Sequence, residues 1–143
     1  MHLILYTSKS AIASSVIDEE MFKISQQAKR NNQKHNITGV LFFHNGLFIQ
    51  VLEGEKQPLE QLMTRIEADN RHQQINRIID ENISQRFFKD WQMDAINLNN
   101  SKDISPATLE MFVNVYKLNY TLKTDQLVVM IKTLLENKED FLQ

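Results

Sequence analysis

The chain has 143 residues, 42% of them hydrophobic, and its 16 lysine and arginine residues against 18 aspartate and glutamate residues give a formal net charge of -2. This length suits one compact domain and leaves no room for a second full domain. Neither sign of charge forms a long block, so we expect no binding to nucleic acid or to a membrane surface. The absence of cysteine excludes disulfides, thiolate metal sites, cysteine nucleophiles and cysteinyl adducts.

The first element is predicted to be a strand. Residues 2–7, HLILYT, form a near-continuous apolar run whose polar member is Tyr6, as expected of a strand covered on both faces. The run lacks the basic start and cleavage site of a secretory signal. A helix that spans a bilayer requires about 20 apolar residues, and no apolar stretch in the sequence approaches that length. We therefore expect a cytoplasmic protein.

A helix is predicted to follow. The acidic residues 18–20 suit the positive end of a helix macrodipole, and Met21, Ile24 and Ala28 continue at helical spacing. This helix is expected to end near residues 31–36.

The strongest local signal is a hairpin. Two apolar runs, 37–43 and 47–53, flank Asn45-Gly46, and this dipeptide tolerates the positive φ angles of a tight hairpin turn. The turn places Leu41 opposite Gln50.

One face of this hairpin is apolar apart from a single amide. With Phe43 opposite Phe48 and Gly39 opposite Leu52, the side chain of Gln50 is the face's polar member and Gly39 leaves room beside it. A buried amide without partners costs about 1–3 kcal/mol. Gln50 is therefore expected to have a partner.

The next elements are a second helix and two strands. Pro58 lies near the helix start, and the apolar spacing predicts that the helix ends near residues 69–72. Residues 75–83 and 91–98 read as strands around a turn at 86–90. The helix is defined by an apolar stripe of four residues: Leu59, Leu62, Met63 and Ile66.

The order βαββαββ predicts an α+β, ferredoxin-like sheet. Its first six elements place strands one and three side by side, with both helices on one face. Tyr6 and Gln50 would then lie on neighbouring strands. Residues 99–143 are predicted to form a helical pair that covers the other face, so the chain is divided into a core at 1–98 and this helical part.

Several of these residues together resemble a known family. The segment 37–56, IxGVLFFHNGLFIQVLEGEK with Thr38 as its variable position, resembles the hairpin of BLUF domains, the sensors of blue light using flavin. Its flanks agree with that family at Tyr6, Asn31-Asn32 and Trp91-Gln92-Met93, and the similarity extends over residues 3–98.

The resemblance implies a flavin site between the two helices. Tyr6, Gln50 and Asn32 would reach the polar edge of the isoalloxazine ring, with Asn31 as a second amide. The other matched positions are Ile24 and Ile66, which would sandwich the ring, and Asp69, Arg71 and Arg65, which would lie at the ribityl and phosphate end.

The resemblance also departs from the family at one position. Ala28 stands where a hydroxyl-bearing residue is often found, so no hydrogen bond is carried over there. The family favours FAD, with FMN as the alternative.

A light response is implied as well. Tyr6 would give the excited flavin an electron and a proton through Gln50, and a rearranged Gln50 amide would persist and shift the flavin absorption to the red. Trp91 and Met93, predicted to share a strand face, would relay the change to the C-terminal helices. We expect a sensor without enzyme activity that signals to a separate protein partner and forms a homo-oligomer.

Other interpretations remain open. Each matched residue taken singly is an ordinary core or surface residue, and the four histidines, which lack metal-ligand spacing, are expected to be surface or capping residues. An acylphosphatase-like enzyme would need a phosphate loop, yet the chain has three glycines and no such loop. An RNA-binding domain would need a basic surface and exposed aromatics. A ligand-free interaction module would be colourless.

Overall fold

The structure of the chain, a computed structural model, describes residues 1–98. The predicted helical pair at 99–143 lies outside the described residues. The described elements follow the predicted order, with one added 3-10 turn at Ser14–Val16. They are β1 (His2–Ser10), α1 (Ile17–Lys34), β2 (Thr38–His44), β3 (Leu47–Gly54), α2 (Lys56–Glu67), β4 (His72–Asn82) and β5 (Gln92–Asn97).

The five strands form one sheet in the order β4-β1-β3-β2-β5. As predicted, β1 and β3 are neighbours. The structure further shows that Tyr6 lies directly opposite Gln50. β5 extends the four-stranded ferredoxin-like plan by pairing in parallel with β2. The predicted α+β fold is confirmed.

The hairpin has the predicted register. Leu41 pairs with Gln50, and Gly39 pairs with Leu52. At the turn, φ is 46° at Asn45 and 82° at Gly46, which is the conformation that favours an Asn-Gly sequence.

Both helices pack on the sheet face that carries Tyr6. Met21 of α1 belongs to a buried cluster with Leu41 and Phe48, and Met63 of α2 belongs to a second cluster with Tyr6. Pro58 is the third residue of α2, where the backbone N–H that it lacks would have had no helical partner. Within residues 1–98, neither helix is long and apolar enough to cross a membrane.

Two predicted strand boundaries shift. β4 begins at His72, earlier than predicted, and β5 begins at Gln92. His72 therefore becomes part of the sheet, while Trp91 precedes the last strand.

The prediction that the histidines are surface or capping residues is wrong for His2. His2 is 5% exposed and hydrogen-bonds through its ring nitrogens to Asp80 and Asn82. Its position at the start of β1, opposite Asn82 of β4, buries it between two strands.

Candidate functional site

A tyrosine and a glutamine form the centre of the candidate site. Tyr6 and Gln50 are 3% and 6% exposed, on adjacent central strands and on the face that the helices cover. The Tyr6 hydroxyl donates a hydrogen bond to Gln50 Oε1. The predicted meeting of these two side chains is therefore present, 44 residues apart in the chain.

The other end of the Gln50 amide faces a sulfur atom. Gln50 Nε2 donates to Met93 Sδ over 3.1 Å. A thioether is only a weak acceptor and has no proton to donate. The amide orientation is thus defined by a strong donor at one end and a weak acceptor at the other.

Burial keeps the Tyr6 hydroxyl protonated. Removal from water raises the pKa of Tyr6 well above its ordinary value, and the nearby Asp69 carboxylate raises it further. The hydroxyl is therefore a hydrogen-bond donor at every physiological pH.

A cavity of about 190 Å³ lies beside this pair. Ile24 and Ile66, one from each helix, contribute apolar side chains, and the sheet contributes Leu41 and Phe48. All nine residues that the resemblance assigned to the cofactor line this cavity: Tyr6, Ile24, Asn31, Asn32, Gln50, Arg65, Ile66, Asp69 and Arg71.

The cavity walls fit a flat aromatic ring with a polar edge. Asn32 is 3% exposed, yet its carboxamide makes no hydrogen bond within residues 1–98. The amide lines the cavity, where it can offer both a donor and an acceptor to a ligand with complementary polar atoms. The cavity is smaller than the roughly 300–1,000 Å³ of drug-sized pockets, so it suits a ring whose substituents extend outward.

One end of the cavity is charged. Arg71 donates to both carboxylate oxygens of Asp69, and this hydrogen bonding lowers the pKa of the Asp69 carboxyl. Arg65 is exposed and has no hydrogen-bond or ion-pair partner among the described residues. Since Arg71 is already neutralised by Asp69, Arg65 supplies the net positive charge at this end.

The sequence prediction missed a histidine of the site. His72, expected at the surface, lines the cavity, and its ring centroid is 6.2 Å from that of Tyr6. Its Nε2 donates to the Ile66 carbonyl over 2.6 Å, and its Nδ1 lies 2.8 Å from Ser8 Oγ. No periodic signal marked it, because it is the first residue of β4.

Apolar and amide lining residues were missed as well. Gln27 and Leu62 line the cavity, and each follows from helical spacing, since Gln27 lies three residues after Ile24 and Leu62 lies four before Ile66.

The two predicted relay residues occupy different environments. Met93 is 1% exposed and contacts Gln50, whereas Trp91 is partly exposed and precedes β5. The backbone carbonyl of Trp91 accepts a hydrogen bond from the Gly39 N–H. Of the two, Met93 touches the centre of the site.

Comparisons with known proteins match the chain to one family. The family model described as sensors of blue-light using FAD matches residues 1–94. The beta subunit of photoactivated adenylate cyclase from Euglena gracilis is 32% identical over 91 residues, which are 63% of this chain and 10% of that protein. The chain thus spans about a tenth of the length of the curated relatives it matches first.

Solved structures show the same fold. BlrB, a BLUF protein in its dark state, matches with a TM-score of 0.74 at 25% identity, covering 91% of this chain and 93% of that chain. BlrP1 of Klebsiella pneumoniae, solved with FMN and cyclic diGMP, matches with a TM-score of 0.64 at 25% identity, covering 79% of this chain and 29% of that chain.

Proposed function

Because the chain belongs to the BLUF family, the sensors of blue light using FAD, we propose that it is a photoreceptor in which Tyr6 and Gln50 carry the light response. The observation that supports this most directly is the buried hydrogen bond from the Tyr6 hydroxyl to Gln50, beside a cavity with an unpaired amide.

BLUF domains bind a flavin, and we assign its ring to the cavity. Ile24 and Ile66 would hold the two sides of the ring, and Asn32 would pair with its polar edge. Asn31 would reach the same edge, and Arg65 would face the phosphate end. FAD is named in the family description, and one solved relative contains FMN.

The protein's part in the response is a reversible proton movement. A flavin ring excited by blue light supplies an electron acceptor. Tyr6 would give an electron to this ring, and its hydroxyl proton would move toward the ring by way of Gln50 Oε1, which accepts the Tyr6 hydrogen bond. Both return to the Tyr6 oxygen, so no reactant is consumed and only the Gln50 amide is left rearranged.

The surroundings of Gln50 support a rearranged state that would return in the dark. With its two ends exchanged, Nε2 would face the Tyr6 oxygen, which is able to accept, but Oε1 would face Met93 Sδ, which has no proton to donate. In the exchanged orientation, Oε1 would therefore need a hydrogen-bond donor on the ligand. A change of one or two hydrogen bonds is worth about 1–3 kcal/mol, enough to shift a two-state element by about 5–150-fold.

We propose that this shift leaves the site through β5. Met93 contacts Gln50 and Trp91 is two residues away, so both would report the Gln50 state to residues 99–143 as an output part. We further propose that the chain acts as a sensor, without catalysis of its own, on a separate protein partner and as a homo-oligomer. Relatives that carry cyclase names match over about a tenth of their length.

An absorption spectrum before and after blue light tests the proposal. The parent protein should carry flavin and show a reversible red shift, and Tyr6→Phe and Gln50→Leu should each abolish it while retaining flavin. Gln57→Leu, an exposed glutamine on α2, is the matched control and should respond as the parent does. A full red shift in Gln50→Leu would contradict the mechanism, and a colourless protein would favour a ligand-free interaction module.

A further inference from the structure

Met93 has an unusual backbone conformation for its residue type. Its φ angle is 66°, in the left-handed region that residues with a side chain rarely adopt. Gly39 pairs with Gln92 and Val40 pairs with Asp94, so Met93 is an extra residue in β5 with no partner on β2. Such a bulge re-aims a side chain, and the conformation persists only where its surroundings hold it.

A serine on α1 stabilises this conformation of Met93 through a hydrogen bond. Ser25 Oγ donates to the Met93 backbone carbonyl over 3.1 Å, and the bond is buried. The bulge takes this carbonyl out of the regular strand pairing, and a buried carbonyl without a donor is costly. The Ser25 hydroxyl therefore both satisfies the carbonyl and fixes the direction of the peptide group.

Other side-chain contacts also join α1 to β5, and two that follow Ser25 along α1 do not reach Met93. Lys29 Nζ lies 2.9 Å from the Asp94 carboxylate, and Gln33 Nε2 donates to Gln92 Oε1 over 3.1 Å. With Ser25, these residues follow the i, i+4, i+8 spacing of one helix face. Since the Lys29 and Gln33 contacts are solvent-exposed, each is expected to contribute little.

The bulge decides where the Met93 side chain points. Its sulfur faces Gln50 Nε2, and its terminal methyl lies 3.2 Å from the place that a Cβ at Gly39 would occupy. Side chains alternate along a regular strand, so a relaxed, extended Met93 would turn its thioether away from Gln50.

We propose that Ser25 is a positioning residue of the photocycle, because it holds the Met93 backbone in the bulge that presents the thioether to Gln50. The inference rests on the proposed function for its effect on light responses. Ser25 acts through Met93, and it is not one of the residues that line the cavity.

A light-independent experiment tests the positioning. With methyl-¹³C methionine, the flavin-loaded protein gives one methyl resonance for each of its six methionines, and Met93→Leu identifies that of Met93. Ser25→Ala should shift or broaden the Met93 resonance in the dark. Ser25→Thr, which keeps the hydroxyl, should restore it, and Lys29→Gln, which removes a different α1–β5 contact, should leave it in place.

A kinetic experiment tests the coupling to the photocycle. The dark return of the red-shifted state should slow about three- to tenfold in Ser25→Ala, because Gln50 no longer finds its acceptor in place; this corresponds to about 0.7–1.4 kcal/mol. In a Met93→Leu background the same substitution should change the rate by less than about twofold. The free energy of unfolding of Ser25→Ala does not isolate the lost hydrogen bond, because alanine also has a higher helix propensity than serine.

The outcomes separate the two proposals. An unchanged Met93 resonance in Ser25→Ala overturns the positioning role, and so does a rate change that persists in Met93→Leu. A parent protein that binds flavin but shows no red shift overturns the proposed function and the photocycle role of Ser25, while the dark spectrum still decides whether the serine positions Met93.

Discussion

At the scale of single residues, Gly39 is the glycine with the least room for a side chain. Its φ angle is 154°, and a Cβ there would lie 1.9 Å from the Val51 carbonyl oxygen. Gly39→Ala should therefore lower the free energy of unfolding by about 2–5 kcal/mol, the sum of a backbone penalty and overpacking. It should also displace Met93, whose methyl lies 3.2 Å from the same point.

Gly46 provides the control for this substitution. Its φ angle is 82°, also positive, but a Cβ there would meet no atom within 4 Å. Gly46→Ala should cost only the backbone term, about 1–2 kcal/mol. Urea unfolding of both variants measures the difference, and equal losses would show that the close approach of Gly39 to Val51 contributes nothing.

The pattern of residues predicted Tyr6 and Gln50 on neighbouring strands, but not their direct pairing or the groups around them. The turn at Asn45-Gly46 fixes the hairpin register, and the crossover rules put β1 beside β3. The positive φ at Met93 and its bond from Ser25 follow from a bulge between β2 and β5, and no periodicity in the sequence encodes that bulge. The approach of His72 to Tyr6 likewise depends on where β4 begins.

At the scale of elements, one arginine joins α2 to β4. Arg77 of β4 lies 2.9 Å from the Glu60 carboxylate of α2 and 2.9 Å from that of Asp80. The hydrogen bond from Arg77 lowers the pKa of Glu60. Partial burial acts to raise the pKa of Asp80, but hydrogen bonds from His2 and Arg77 outweigh it and leave the value lowered.

These shifts give the ion pairs a predictable pH dependence. A carboxyl group whose pKa is lower in the folded than in the unfolded state stabilises the fold above its unfolded value, and the contribution disappears as the pH falls through the folded value. Arg77→Met should cost about 1 kcal/mol at neutral pH. As the pH falls below about 4, near the unfolded values of Asp and Glu, and through the lower folded values, the variant and the parent should progressively converge.

Urea midpoints between pH 3 and pH 7 measure this effect. Arg30→Met is the matched control, because Arg30 is exposed on α1 and has no ion pair among the described residues; its difference from the parent should not change with pH. A cost for Arg77→Met that is as large at pH 3 as at pH 7 would show that packing of the side chain, and not its charge, joins α2 to β4.

The type and order of the helices and strands could be predicted from the sequence, but the residues at which two of the strands begin could not. The apolar spacing of α2 and the Asn-Gly turn gave the type and order of these elements. The early start of β4 at His72 and the late start of β5 at Gln92 depend on tertiary pairing instead. His72 pairs with Ser10 and Gln92 pairs with Gly39, contacts that no local pattern contains.

At the scale of the whole molecule, the core of the described residues contains the candidate cavity. The two buried clusters, one with Met21 of α1 and one with Met63 of α2, flank a cavity that reaches Asn32, Gln50 and Tyr6. A ligand in that cavity would join the clusters and satisfy the Asn32 amide. The holoprotein should therefore be more stable than the flavin-free protein.

Removal of the flavin measures this contribution. At a free flavin concentration of 100 times Kd, binding adds about 2.7 kcal/mol to the free energy of unfolding. For a chain of 143 residues, this corresponds to a rise in Tm of about 5–10 °C. Thermal unfolding of the stripped protein, with and without added FAD, should show this difference. Identical melting curves would mean that the cavity does not hold the cofactor in the folded state.

Riboflavin provides the comparison that divides this contribution between the ring and the phosphates. It presents the same ring as FAD without phosphate, so at a matched multiple of its own Kd it should raise Tm equally. Its Kd itself should be higher if Arg65 binds a phosphate, and Arg65→Gln should then weaken FAD while leaving riboflavin unchanged. Equal weakening of both ligands would place Arg65 beside the ring and not at the phosphate end, because only a phosphate contact can distinguish the two.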